Sequence, residues 1–318
     1  MIVSSGTYLA GVVGGSLAAG YAAGLTGRVS PAFRGWVSRL VMFGLVPVAG
    51  FNALWAVRID SARLLYVPLI GISVAFSLLA ASLLLAHLQR FPARTRGAYV
   101  MCSTFSNNGW TLGAFVCFTV LGETGLGLAV LYSLLVLLVY YTAGMLIGTH
   151  FERRAFPHQE VAGGILLRKW RDFLPVAAIA SGGLFNLLGV QRPALMETLM
   201  PILPPVAAVP LLFVMGVTLR FKGVARWTRP VLTVCGLKLI VGPAVGVGLA
   251  RLAGLGQTMQ GLPIEVIYLQ ASCPVAIFAV LFSGLFRLNT DLANACFLAT
   301  TAGYLVLLPL LIHIAGLL

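Results

Sequence analysis

The stretch Cys102-Ser-Thr-Phe-Ser-Asn-Asn-Gly-Trp-Thr-Leu-Gly113 is a polar run inside an apolar segment, residues 98–121, that is long enough to cross a bilayer. Asn and Gly are unfavourable within a helix but favourable at helix ends. We therefore predict a transmembrane helix that breaks near Asn107–Gly109 and restarts at Asn108. Unpaired backbone groups at membrane depth are tolerated only when they are buried in protein or line a watery cavity. In secondary transporters, such breaks form the substrate site.

The composition excludes a soluble globular protein. Mean hydropathy is +0.99, 59% of the 318 residues are hydrophobic and only 9% are charged. The net charge of +13 does not indicate nucleic-acid binding, because the Lys and Arg residues lie between apolar segments rather than in one cluster. The five cysteines lie in apolar segments without metal-ligand spacing, and no catalytic triad or phosphate-binding loop is present. We therefore expect neither an enzyme nor a metal or cofactor.

Ten apolar segments are long enough to be membrane spans, and short connections separate most of them. We predict an all-α membrane protein with ten transmembrane helices. The predicted spans cover residues 3–25, 36–57, 64–87, 98–121, 125–149, 173–190, 195–219, 231–252, 263–286 and 292–317.

Basic residues predict the orientation of these spans. With the N-terminus outside, sixteen of the 21 Lys and Arg residues fall on the inner side and four on the outer side. Cytoplasmic loops of membrane proteins carry an excess of Lys and Arg. We therefore predict a multi-pass protein of the cytoplasmic (inner) membrane, with both termini outside and a cytoplasmic linker over residues 150–172.

An inverted repeat is predicted from the odd number of spans in each half, residues 1–149 and 173–318. Three pairs of similar features recur at spacings of 163 to 168 residues; they are Pro47 and Pro210, Asn108 and Pro274, and Glu123 and Asp291. Because Pro and Gly are common in this chain, coincidence is the alternative explanation.

Small residues in the first span indicate close helix contact. Gly11, Gly15, Gly20 and Gly24 form two pairs spaced four residues apart. This stripe indicates either packing within the chain or the seam of a homodimer.

The ninth segment carries the counterpart of the first break, Tyr268-Leu-Gln-Ala-Ser-Cys-Pro-Val-Ala276. Proline breaks a helix interior but is favoured at a helix start, where Ser is a good cap. We therefore predict a second restart at Pro274. If the two breaks cross, two helix N-termini with free N–H groups point into one cavity that suits a carboxylate. The alternative is that Pro274 only kinks a helix and the Asn pair joins helices.

Lys238 is the one Lys or Arg that lies far from both ends of a predicted span. It lies nine residues beyond Arg229, about 13 Å into the membrane at about 1.5 Å per residue. Ionisable groups at such depth are costly and are usually functional, although snorkelling toward the interface is the alternative. A carboxylate substrate would supply its missing partner, which makes protons the expected coupling ion. The predicted substrate-binding residues are Ser103, Asn107, Asn108, Gly109, Lys238, Gln270, Ser272 and Pro274, with Asn52 and Tyr132 as further polar residues in spans. The Tyr132-Ser133 pair is a candidate for the cavity lining.

Four stretches resemble the auxin efflux carrier (AEC) family of permeases, which is related to the bile acid sodium symporters. They are Phe105-Ser-Asn-Asn-Gly-Trp-Thr-Leu-Gly113, Leu121-Gly-Glu-Thr-Gly-Leu-Gly-Leu-Ala-Val-Leu-Tyr132, Leu237-Lys-Leu-Ile-Val-Gly-Pro243 and Gln270-Ala-Ser-Cys-Pro-Val-Ala276.

This resemblance implies ten helices in two inverted halves, with helices four and nine crossing at the substrate site. It also implies a scaffold of helices 1, 2, 6 and 7, a mobile core of helices 3–5 and 8–10, and elevator-type transport of organic anions such as auxin or malate- and malonate-like acids. Many members have a Pro shortly after the Asn-Gly of helix four, where this chain has Trp110, Leu112 and Gly113, and Trp110 is expected to narrow or reshape the cavity. The alternatives are a sodium-coupled bile-acid-type symporter and a membrane sensor that binds the ligand without moving it.

Overall fold

The computed structural model describes residues 2–57, 61–159, 174–220 and 224–318, and its regular elements are helices. In chain order the α-helices are α1 (Ile2–Leu25), α2 (Pro31–Leu40), α3 (Val46–Ala56), α4 (Tyr66–Leu88), α5 (Ala93–Thr104), α6 (Gly113–Ala155), α7 (Leu174–Leu187), α8 (Ala194–Leu199), α9 (Leu203–Thr218), α10 (Thr228–Gly236), α11 (Gly242–Leu252), α12 (Leu262–Ala271), α13 (Ile277–Leu285) and α14 (Thr290–Ala315).

Seven helical stretches of the described residues are long and apolar enough to cross a membrane, and α7 is a shorter apolar helix. They are Tyr8–Leu25, Pro31–Ala56, Ala62–Leu88, Gly113–Ala155, Ala194–Thr218, Thr228–Leu252 and Thr290–Ala315. These helices support the predicted multi-pass membrane protein.

The predicted fourth and ninth spans are not continuous helices. α5 has 12 residues, α12 has 10 and α13 has 9, so each is too short to cross a bilayer alone. The end of the predicted fourth span is joined to the fifth in the 43-residue α6, which contains a non-helical residue, Gly122, with φ 69°. The predicted linker at 150–172 also begins later than expected, since α6 stays helical to Ala155, and residues 160–172 lie outside the described part.

Glycines allow two parallel pairs of helices to pack closely. A Cβ on Gly20 would lie 3.0 Å from the Gly216 Cα of α9, and a Cβ on Gly24 would lie 2.8 Å from the Val217 carbonyl oxygen. Gly182 of α7 likewise packs on the Phe51 backbone of α3. The small-residue stripe of α1 therefore serves packing within the chain at Gly20 and Gly24.

The homodimer seam is not tested by these contacts. A Cβ on Gly11 or Gly15 would meet no atom of the described residues within 4 Å. This half of the stripe is consequently open in the monomer.

Two π-helical turns each end two residues before a proline. The turns Val41–Leu45 and Leu237–Val241 lead into α3 and α11, which have a proline in the first turn. Proline lacks an N–H group and its ring clashes with the preceding turn, and a widened turn relieves that clash. Single π-turns inside α-helices are often found at functional sites. The second of them carries Lys238.

Candidate substrate site at two helix breaks

The first break spans eight residues, Phe105 to Leu112, between α5 and α6. The helix restarts at Gly113 and not at Asn108, because the Asn107 carbonyl accepts from the Gly113 N–H (3.0 Å) and the Gly109 carbonyl accepts from the Ala114 N–H (3.0 Å). The Asn107 side-chain oxygen also accepts a hydrogen bond from the Thr111 hydroxyl. The asparagines thus precede the helix, and the Asn107 and Gly109 carbonyls accept hydrogen bonds from its first two N–H groups.

The second break spans five residues, Ser272 to Ala276, and its helix restarts at Ile277 rather than at the predicted Pro274. The two breaks meet in an antiparallel bridge between Ser106 and Val275. The Asn107 N–H donates to the Pro274 carbonyl (2.7 Å), and the Ala276 N–H donates to the Phe105 carbonyl (2.9 Å). Each break therefore satisfies backbone groups that the other leaves free, as a membrane interior requires.

Ser106 is the point at which Lys238 and Tyr140 meet the first break. The Lys238 Nζ donates to the Ser106 Oγ at 2.8 Å, and Lys238 is fully buried. The Tyr140 hydroxyl accepts from the Ser106 N–H (2.7 Å) and donates to the Ser106 carbonyl (2.9 Å). Lys238 therefore does not snorkel to the interface, and its charge is directed at the break.

A cavity of about 430 Å³ lies against the first break. Its wall is mostly apolar, with side chains such as Met42, Leu137, Leu211 and Met215. Among the described residues that line it there is no Asp or Glu, and the one Lys or Arg is Arg34. The polar residues from the first break are Ser106, Asn107, Asn108 and Thr111. An apolar cavity with a few convergent polar groups and net positive charge suits an amphipathic anion.

Three of the predicted site residues, Asn107, Asn108 and Gly109, line this cavity. The Asn108 carbonyl accepts from the Ser133 hydroxyl at 3.1 Å, which holds this part of the break against α6. The Asn107 side-chain nitrogen is buried without a hydrogen-bond partner among the described residues. These residues are positioned to hydrogen-bond a ligand.

The other predicted residues lie behind the cavity wall. The Gln270 amide is fully buried and its oxygen lies beside Gly113, while the Ser272 hydroxyl donates to the Tyr268 carbonyl (2.7 Å) one turn earlier in α12. Pro274 contributes its carbonyl to the bridge. Ser103 and Tyr132 are buried but are not among the lining residues.

Asn52 also lies away from the lining. Its side-chain nitrogen donates to the Met196 carbonyl of α8 at 2.6 Å. The structure therefore gives Asn52 the helix-joining role.

Sequence reasoning missed Leu137 and Tyr140 of the cavity wall, and of the Tyr132-Ser133 pair it is Ser133 that lies on the wall. Ser133, Leu137 and Tyr140 of α6 line it at spacings of four and three residues, which places them on one helix face. That periodicity is visible in the sequence once Ser133 is placed on the wall. Arg34 carries only an orientation signal in the sequence, whereas Trp110, which is expected to narrow or reshape the cavity, does line it.

Comparison with known proteins points to membrane transport. The sequence profile of a family described as "Membrane transport protein" matches residues 16–161, which include the first break. A protein of Methanothermobacter thermautotrophicus described as an uncharacterized transporter is 25% identical over 276 residues, 86% of this chain and 86% of the relative. Both similarities support a membrane transporter. They favour a permease rather than an enzyme, and they carry no information on the substrate.

Proposed function

We propose that the protein is a secondary transporter for a small organic anion, which binds in the cavity beside the first break. One observation carries this proposal. The two broken segments pair through their backbones at a cavity whose described lining includes Arg34 and no acidic side chain. The N-terminus of α6 also points partial positive charge toward this region. A carboxylate is the ligand that these groups complement best.

The ten-helix inverted repeat is part of the proposal. In this arrangement α5 and the first part of α6 form the fourth crossing, α6 after Gly122 forms the fifth, and α12 with α13 forms the ninth. Residues with positive φ support it at spacings of 162 to 165 residues; the pairs are Gly27 and Gly189, Arg90 and Gly254, and Gly122 and Arg287. Each pair lies between corresponding helices of the two halves.

Helix contacts support the same symmetry. α1 packs on α9 and α3 packs on α7, and an inverted repeat would interchange these two contacts. It would also interchange the contact of α1 with α14 and that of α6 with α7, both of which occur.

The two sides of the cavity support an elevator-type mechanism. One side consists of α2, α7 and α9, which belong to the proposed scaffold. The other side consists of the first break, α6 and α13, which belong to the proposed core. A substrate held between the two groups would be exposed to alternate sides of the membrane when one group slides against the other.

We further propose the inner-membrane orientation that the basic loops predict, with both termini outside.

A carboxylate panel followed by flux measurements tests this function. A ligand that binds only the folded state raises thermal stability, so purified protein is first screened for stabilisation by mono- and dicarboxylates. Each stabilising compound is then assayed for flux in proteoliposomes, with and without sodium. We expect sodium-independent flux of at least one carboxylate. Stabilisation without flux would identify a sensor, and strictly sodium-dependent flux would favour a bile-acid-type symporter.

A further inference from the structure

Arg34 lies at the opposite end of the cavity from the first break. The lining residues Pro31, Arg34, Ser38, Met42 and Val46 follow one face of the helix that runs from α2 through the first π-turn into α3. Because this helix rises about 1.5 Å per residue, Arg34 and Val46 are separated by about 18 Å along its axis.

Trp110 fixes the position of the break on this axis. A Cβ on Gly50 would lie 3.6 Å from the Trp110 Cζ2, so the break packs beside Gly50 of α3. Gly50 is about 24 Å from Arg34 along the helix at about 1.5 Å per residue. The Arg34 end of the cavity is therefore distant from the part of the break that contains Trp110.

The exposed mouth of the cavity is at the end that contains Arg34. Pro31, which lines the cavity, is exposed. Thr218, at the C-terminal end of α9, also lines the cavity, and the parallel packing of α1 and α9 places it at this end. Arg34 itself is half-buried, and its Nε is buried without a hydrogen-bond partner among the described residues. A guanidinium with unused donors binds a carboxylate in a bidentate manner.

We propose that Arg34 forms a second anion-binding site at the mouth of this cavity, which holds the carboxylate group of the substrate before it reaches the break. The proposal rests on the proposed function, since it assumes that an organic anion uses the cavity. Arg34 is then a residue that selects anions at entry, and Asn107 and Asn108 form the deeper site. The apolar wall between the two sites accommodates the rest of the substrate.

The first test measures the local preference for anions without a known substrate. Ser38 lines the cavity four residues after Arg34, on the same helix face. Ser38→Cys is made in a Cys235→Ser background, because the other four cysteines are buried. Its reaction rate is measured with two methanethiosulfonates of similar size, the anionic sulfonatoethyl and the cationic trimethylammonioethyl reagent.

We expect Arg34→Gln to lower the ratio of anionic to cationic rates about tenfold, because a charged cleft raises the local concentration of its counter-ion. Arg34→Lys should preserve most of the ratio. Arg39→Gln is the matched control, since Arg39 is an exposed cation of the same helix outside the lining. It should leave the ratio within about twofold of the parent, because exposed charges are screened by salt. An unchanged ratio in Arg34→Gln would overturn the proposal.

The second test separates this site from the proposed function. The variant Ser133→Cys places a thiol beside the first break. Its methanethiosulfonate modification is measured in the presence of octanoate or of the neutral analogue octanamide, to determine whether either compound protects the cysteine. If octanoate protects this cysteine but Arg34→Gln leaves the rate ratio at Ser38→Cys unchanged, the anion function stands and the Arg34 site is wrong. If the ratio falls but no carboxylate of the panel protects Ser133→Cys or is transported, the mouth site stands and the transport function is wrong. We expect protection by octanoate alone, weakened about tenfold by Arg34→Gln.

Discussion

The two breaks look alike in sequence but have different roles in the structure. The first places six residues on the cavity wall, from Ser106 to Thr111, whereas the second places only Ala276 there. The second break instead supplies backbone partners to the first through Pro274 and Ala276. One break is therefore a binding wall, and the other is its support.

The cause of this difference is the direction of the hydrogen bonds at the second break. The Ser272 hydroxyl and the Cys273 thiol donate back to carbonyls of α12, at 2.7 and 3.4 Å. The Val275 N–H donates to the Thr300 hydroxyl of α14 at 3.1 Å. This hydroxyl, this thiol and this N–H group are all hydrogen-bonded behind the wall, so they are unavailable to a ligand in the cavity.

The largest effect is expected from Asn108→Leu, which removes a polar side chain from the wall. The backbone contact of Asn108 with Ser133 does not need its side chain, so the protein should stay folded. We expect ligand affinity to fall at least tenfold, equivalent to about 1.4 kcal/mol, for the loss of a hydrogen bond to an anion. Binding of the carboxylate identified in the stability screen is the measurement.

Asn52→Leu is the matched control for this prediction. It also removes a buried amide, but one that joins α3 to α8 outside the cavity lining. It should lower thermal stability and leave the ligand dissociation constant unchanged. Normal binding by Asn108→Leu would show that the first break is not the binding wall.

The sequence predicted the location of both breaks and the depth of Lys238 in the fold, because Asn, Gly, Pro and a lone cation are anomalous inside apolar segments. It did not predict which break faces the cavity. Helical periodicity predicts which way a side chain points, but extended segments such as Phe105–Gly109 have no helical periodicity. The predicted restart at Asn108 was wrong because the Asn107 and Gly109 carbonyls lie before the helix and accept hydrogen bonds from its first N–H groups, so that α6 begins only at Gly113. The role of Arg34 was hidden because basic residues near span ends already satisfy the orientation rule.

The second effect concerns Lys238, which contacts the wall through Ser106. A bound carboxylate would stabilise the ammonium of Lys238, so anion binding and protonation should favour each other. We expect the apparent affinity for the anion to fall as the pH is raised, without dependence on sodium. Lys238→Ala should lower flux about tenfold and abolish this pH dependence.

Lys238→Arg tests the chemistry of this group. A guanidinium keeps its proton and differs in shape from an ammonium, so this variant should not restore the pH dependence. Flux in proteoliposomes across a pH series, with and without sodium, is the measurement. Robust sodium-dependent flux from Lys238→Ala would make Lys238 structural and favour a bile-acid-type symporter.

A third prediction concerns the contact between the breaks at Gly113. An added Cβ would lie 2.7 Å from the Asn108 Cα and 2.9 Å from the Cys273 Sγ, so the two breaks would have to separate. We expect Gly113→Ala to lower the free energy of unfolding by about 1 to 3 kcal/mol through overpacking, and to weaken binding. Gly109→Ala is the control, since its Cβ would meet no atom of the described residues within 4 Å. Equal thermal stability of the two variants would contradict the close contact of the breaks.

The smallest effect is expected from Gln270→Met, which tests whether the second break binds ligand at all. The Gln270 amide is fully buried, and neither its nitrogen nor its oxygen has a partner among the described residues. Because an unpaired buried amide costs about 1 to 3 kcal/mol, an apolar side chain of similar shape should be neutral or stabilising. We expect unchanged ligand affinity and equal or higher thermal stability, measured on the same preparation. A loss of affinity comparable to that of Asn108→Leu would mean that Gln270 reaches the substrate in another state of the transport cycle, and the two breaks would then share binding as their sequences predict.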